Sequence, residues 1–81
     1  MQVHVQFYSY FKDLTGCSEL LEILPAGSTL GDLHQLLAEK FPKLASMQKS
    51  TLTAVGLEYR RADYLLQEGD QVALFPPVQG G

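Results

Sequence analysis

Thr29-Leu30-Gly31-Asp32-Leu33-His34-Gln35-Leu36-Leu37-Ala38-Glu39-Lys40-Phe41-Pro42 carries the clearest local signal in the chain. Thr29 offers a hydroxyl at an N-cap position, and Asp32 brings a carboxylate three residues on, the arrangement of a capping box. Asp reaches less far than the preferred Glu, so the reciprocal bond is the weaker half. Leu30, Leu33, Leu37 and Phe41 recur at helical spacing, with Leu36 widening the stripe. Pro42 drives the residue before it out of the α region. The spacing therefore predicts one amphipathic helix over residues 30–41, and Leu44 and Met47 add a second short helical turn.

On either side of this helix the period changes from 3.6 to 2. Val3, Val5 and Phe7 alternate with His4, Gln6 and Tyr8, as in a strand with one buried face. Phe11-Lys12-Asp13-Leu14-Thr15-Gly16 closes as a helical turn with Gly16 as its stop. A second strand runs from about Glu19 to Leu24, with Leu21 and Ile23 on one face and Leu20, Glu22 and Leu24 on the other. Apolar groups on both sides predict that its outer face is only partly wet. Beyond the helix, Leu52 to Val55 reads as a strand, Gly56-Leu57-Glu58 as a turn and Tyr59-Arg60 as the returning strand. Leu65-Leu66 leads into a Gly69-Asp70 turn, and Gln71 to Phe75 forms the last strand. The order β, β, α, β, β predicts an α+β domain: a mixed sheet with one principal helix packed across it. The first and last strands are expected side by side, with the chain's end leaving one end of the sheet.

Composition narrows the function. At 81 residues the chain is one domain near the lower limit for independent folding. Apolar residues make up 46% and charged residues 19%, a globular balance. A net charge of -3 with no basic cluster beyond Arg60-Arg61 argues against nucleic-acid binding. No apolar run approaches the ~18 to 20 residues of a membrane span, and no signal peptide is expected. The lone Cys17 excludes an internal disulfide and fits a reducing compartment, so the cytoplasm is the expected location.

The chain closes on Pro76-Pro77-Val78-Gln79-Gly80-Gly81, directly after the last strand. The prolines lack N–H donors and end strand pairing at Phe75. The two glycines then strip side chains from the terminus, leaving a narrow strip whose working group is a free carboxylate. Six extended residues reach roughly 20 Å. Gly-Gly can also be plain terminal punctuation. Proline stiffness and an apolar strand running straight into the tail weigh for a use. The expected division is a folded body over 1–75 and an extended tail over 76–81.

The ending Leu66-Gln67-Glu68-Gly69-Asp70-Gln71-Val72-Ala73-Leu74-Phe75-Pro76-Pro77-Val78-Gln79-Gly80-Gly81 resembles that of the small, sulfur-carrying subunits of molybdopterin synthase, the MoaD type. The Val5-Gln6-Phe7-Tyr8 strand, Leu14-x-Gly16 and the Thr29-Leu30-x-x-Leu33 helix start are similar too, so the likeness spans the chain. The resemblance implies a β-grasp, ubiquitin-like fold. It implies that an ATP-using, ubiquitin-activating-like adenylyltransferase adenylates the Gly81 carboxylate, which is then converted to a thiocarboxylate. Sulfur would pass to cyclic pyranopterin monophosphate inside the large synthase subunit. No bound cofactor or metal is implied for this chain, and catalysis would belong to its partners. Two departures stand out: Gly56 follows Ala54-Val55 where relatives often carry Asn, and Gln71 replaces a frequent Glu. Gly56 supports the same left-handed turn but donates no side-chain hydrogen bond.

The candidate functional residues are therefore Gly81, with Gly80, Val78, Pro77 and Pro76 forming the rest of the tail. Phe75, Phe7 and Leu57, with Tyr8 and Tyr10, are candidates for an apolar partner face, core packing being the competing fate of Phe7. Cys17 reads as a small, partly buried residue, and His4 and His34 lack metal-ligand spacing. Arg60 and Arg61 read as a solvated face that could meet an acidic partner. The competing functions are a carrier of the same fold serving thiamine, tRNA thiolation or protein conjugation, and a ubiquitin-like interaction module whose carboxylate is never activated.

Overall fold

A computed structural model describes residues 1–77 of the chain. The principal helix, α2, spans Leu30–Lys40. Both halves of the capping box form: the Asp32 N–H donates to Thr29 Oγ1 at 3.2 Å, and the Thr29 N–H donates to Asp32 Oδ2 at 2.9 Å. Asp is thus long enough to close the box. Leu30, Leu33 and Leu37 are buried along one face. Phe41 falls out of the helix and becomes its cap at φ -126°, one residue earlier than the periodicity alone suggests, because Pro42 follows. Pro42 opens the short α3, Pro42–Ala45, whose Leu44 closes one side of the core.

Five strands form one sheet: β1 Gln2–Phe7, β2 Glu19–Ile23, β3 Leu52–Val55, β4 Glu58–Tyr59 and β5 Gln71–Phe75, in the order β2-β1-β5-β3-β4. β1 and β5 run parallel, with Val5 opposite Val72 and Phe7 opposite Leu74. The other neighbours are antiparallel. The last strand therefore occupies the middle of the sheet, held by β1 on one side and β3 on the other. The expected mixed sheet, single main helix and adjacent terminal strands are all present.

The face turned toward α2 collects Val3, Val5, Phe7, Val55, Val72 and Leu74, which pack with Phe11, Leu24, Leu44 and Leu66 into one core. A second helix, α1 (Phe11–Thr15), drops Phe11 into that core and ends at Gly16, whose φ of 77° lets its N–H bond back to the Lys12 carbonyl at 2.8 Å. The Gln67–Asp70 turn is tied by Asp70 Oδ2, which accepts from the Gln67 N–H at 2.8 Å and the Tyr64 hydroxyl at 3.1 Å.

Two elements depart from expectation. β4 covers Glu58–Tyr59 rather than Tyr59-Arg60, since Val55 pairs with Glu58 and Ala54 with Tyr59 across a tight Gly56-Leu57 turn. Gly56 takes φ 64° there. In β2 the larger apolar side chains face outward: Leu21 and Ile23 are 59% and 78% exposed, whereas Glu22 is only 3% exposed. The outer face of β2 is thus wet rather than partly covered: both of its apolar side chains stand open among the described residues. The inward Glu22 is charge-paired by Lys40, reaching over from the last turn of α2. Lys40 is itself half in solvent, so one end of the pair stays hydrated.

Candidate functional site

The site starts where β5 leaves the sheet. Phe75 is the last paired residue, opposite Leu52 of β3. Pro76 and Pro77 follow it with no regular structure and are half-buried against the body. The Tyr8 N–H donates to the Leu74 carbonyl at 3.1 Å, carrying the β1–β5 pairing to its end. The Tyr8 ring then stacks on Phe75, with centroids 4.7 Å apart and planes 13° from parallel. The Tyr8 hydroxyl is steadied by Gln6 Oε1 at 3.1 Å. Tyr8, Phe75 and Leu52 thus make a firm apolar collar at the base of the tail. An attachment point on a central strand, bonded on both flanks, resists being pulled loose.

The remaining tail candidates, Val78, Gly80 and Gly81, lie outside the described residues. Phe7 is corrected. It is 2% exposed and meets Phe41 edge-on at 5.9 Å, so it is a core residue with no surface for a partner. The reason is its parity: Phe7 shares the inner face with Val3 and Val5, while its neighbour Tyr8 turns outward. Leu57 is 102% exposed at the tip of the β3–β4 turn. It stands in the turn beyond the opposite end of β3 from Phe75's partner Leu52, and β3 alone spans ~10 Å, so the two do not form one compact patch. Between them the outer face carries Ala73, Ala54 and Tyr59 in register. The strand order sets Leu52 beside Phe75, and Tyr59 lies one strand further out, opposite Ala54.

The other reactive side chains are individually accounted for. Thr15 Oγ1 lies 3.7 Å from the half-buried Cys17 sulfur and donates to backbone carbonyls of Phe11 and Cys17. His4 approaches Glu19 at 3.4 Å on the outer face. His34, on α2, shares a 2.8 Å hydrogen bond with Thr53 Oγ1, and burial lowers its pKa from the ordinary 6.5. Among the described residues no three His, Cys, Asp or Glu side chains converge as a metal site. No described helix is long and apolar enough to cross a membrane.

An antiparallel first hairpin, one helix laid across the sheet, and a central last strand parallel to the first define a ubiquitin-like β-grasp protein. Crystalline SAMP1 from Haloferax volcanii superposes with a TM-score of 0.88 at 20% identity, covering all of both chains. The sequence pattern of the ThiS family matches residues 5–81, and the chain belongs to that family. The molybdopterin synthase sulfur carrier subunit of Arabidopsis thaliana is 30% identical over all of this chain and 84% of its own length. The protein of the same name from Chlamydomonas reinhardtii is 31% identical over the full length of both.

Proposed function

We propose that this chain is the sulfur carrier subunit of a molybdopterin synthase and that its cargo rides on the Gly81 carboxylate. The observation that carries the reading is the route of β5. A core strand bonded on both sides delivers Phe75-Pro76-Pro77 to the sheet end in a ThiS-family chain, and full-length relatives bear the sulfur-carrier name.

The chemistry requires activation because a carboxylate has no good leaving group. An ATP-using, ubiquitin-activating-like enzyme joins the Gly81 carboxylate to AMP and releases pyrophosphate. A sulfur nucleophile at the oxidation level of sulfide then displaces AMP and leaves a thiocarboxylate. The thiocarboxylate sulfur bonds to a carbon of the pterin precursor in the large synthase subunit and displaces an oxygen substituent. Water then cleaves the acyl C–S bond, leaving sulfur on the pterin and returning the Gly81 carboxylate. Terminal glycines suit every step, since no Cβ shields the acyl carbon. This chain supplies reach and alignment, binds no cofactor of its own, and acts in the cytoplasm with these two partners. A reacting atom displaced by ~1 Å loses about a hundredfold in rate, so tail length governs transfer more strongly than the identity of Gln79.

Deleting Gly81 is expected to abolish sulfur loading with the fold intact. Intact-mass measurement after ATP, activating enzyme and sulfur donor checks this. A deletion variant that still gains one oxygen-for-sulfur exchange overturns the assignment.

A further inference from the structure

On the helix side of the β3–β4 edge lies a cleft of about 520 Å³ whose floor includes Leu30, His34 and Thr53. Its rim carries Lys49, Arg60 and Arg61. These are three of the chain's six lysines and arginines, gathered on one side of a protein of net charge -3. The guanidinium of Arg60 is held in place by Glu58 at 2.9 Å and by the Tyr64 ring at 5.1 Å. Lys49 and Arg61 make no ion pair among the described residues. Of the nearby carboxylates, Glu58 is engaged by Arg60 and Asp32 is spent on the helix cap, while Asp63 is exposed beyond the rim.

Position gives the cleft its meaning. Leu52 is the partner of Phe75, and the residue before it, Thr51, lines the cleft. The cleft therefore reaches the same end of the sheet from which Pro76 and Pro77 depart. β4 is an edge strand among the described residues, and Arg60 and Arg61 follow it directly. A protein that takes in the tail and spreads beyond the sheet end toward β4 would meet this corner.

The available groups also discriminate between kinds of anion. The first amides of α2 are already used: Leu30 N–H donates to the Tyr64 carbonyl and Gly31 N–H to the Ala62 carbonyl, both at 2.8 Å. Asp32 N–H serves the cap, Thr51 Oγ1 donates to the Met47 carbonyl at 2.7 Å, and Thr53 Oγ1 is bonded to His34. The start of α2 and the two threonine hydroxyls therefore offer no ready cradle for a phosphate. What is left is positive charge on long side chains along an open edge, which suits spaced carboxylates of a polypeptide and acts chiefly on encounter.

We infer that this cleft docks an acidic, Asp- or Glu-rich segment of the protein that receives the tail. The inference rests on the carrier reading for the existence of such a partner, but its measurement is independent of sulfur loading. Isotope-labelled full chain would be titrated with a hexaglutamate peptide at about 50 mM salt and followed by amide NMR, with ATP and pyrophosphate as parallel probes. Expected are saturable shifts confined to residues 30–34, 48–53 and 60–62. They should weaken at least about fivefold in the K49A/R61A variant and in about 500 mM salt. Native shifts elsewhere in that variant show that it is folded. Scattered or non-saturating shifts, shifts unchanged in the variant, or ATP or pyrophosphate filling the cleft at lower concentration than the peptide would overturn the inference. A second measurement ties it to the partner: K49E/R61E is expected to slow association with the large synthase subunit about tenfold or more at low salt, with dissociation little changed. An unaltered association rate would sink it.

Discussion

The two faces of the sheet are built from alternate residues of the same five strands, yet they answer to different demands. The inner face is mostly Val, Phe and Leu, with Thr53 bonded to His34, and is covered by α2, while its Glu22 is met by Lys40. The outer face is a patchwork in which Leu21, Ile23, Leu52 and Tyr59 stand exposed among Gln, His and Ala, and the Tyr8–Phe75 stack guards the tail. Burial of the inner set supplies the stability of a small domain. The outer set contributes little to folding and is therefore free to be shaped by a partner. An 81-residue carrier can separate folding from recognition simply by strand parity.

The sharpest way to break this contrast is to truncate one residue on each side of it. Phe7→Ala should cost about 3–5 kcal/mol, a large fraction of the stability of such a domain. Leu57→Ala should stay within about 0.5 kcal/mol. Urea denaturation of the two variants reads the difference, and similar midpoints would mean that the division between faces is illusory.

Next in size is the charged exception on the inner face. Lys40→Ala leaves the Glu22 carboxylate buried without its cation, and about 1–3 kcal/mol should be lost, moderated by solvent at the lysine end. Replacing both with Glu22→Leu and Lys40→Ala should recover most of that loss. If the double variant is as unstable as the single, the pair has a role beyond mutual neutralisation.

A smaller effect tests whether the collar at the tail's base is a unit. A double-mutant cycle of Tyr8→Ala and Phe75→Ala should show a coupling of about 0.5–1.5 kcal/mol, as for other aromatic pairs. Purely additive losses would mean that the stack does not brace the tail.

The smallest effect concerns His34. Burial holds its folded pKa below the ordinary 6.5. As the pH falls past that value, the unfolded chain takes up a proton that the folded chain resists, so stability present above it is lost on acidification. Between about pH 7.5 and pH 5 the melting temperature of the wild type should fall more than that of His34→Gln. Parallel curves would show that His34 contributes nothing to the pH dependence.

Local patterns were enough to establish the α2 helix with its Thr29–Asp32 cap, the stop at Pro42, the strand over Gln71–Phe75 and the proline-terminated end, because each depends on contacts within a few residues. Periodicity also sorted each strand into two sets. It could not say which set of β2 would be buried, and Leu21 and Ile23 went outward while Glu22 went in. That choice was made by register with β1 and by Lys40, eighteen residues away in sequence. The parity of Phe7 with Val3 and Val5 was, by contrast, readable from the alternation, whereas the meeting of Lys49 with Arg60 and Arg61 beside one cleft was not. Spacing along a chain encodes direction relative to the local backbone; which distant groups those directions converge upon is settled only when the sheet and helix close over a shared core.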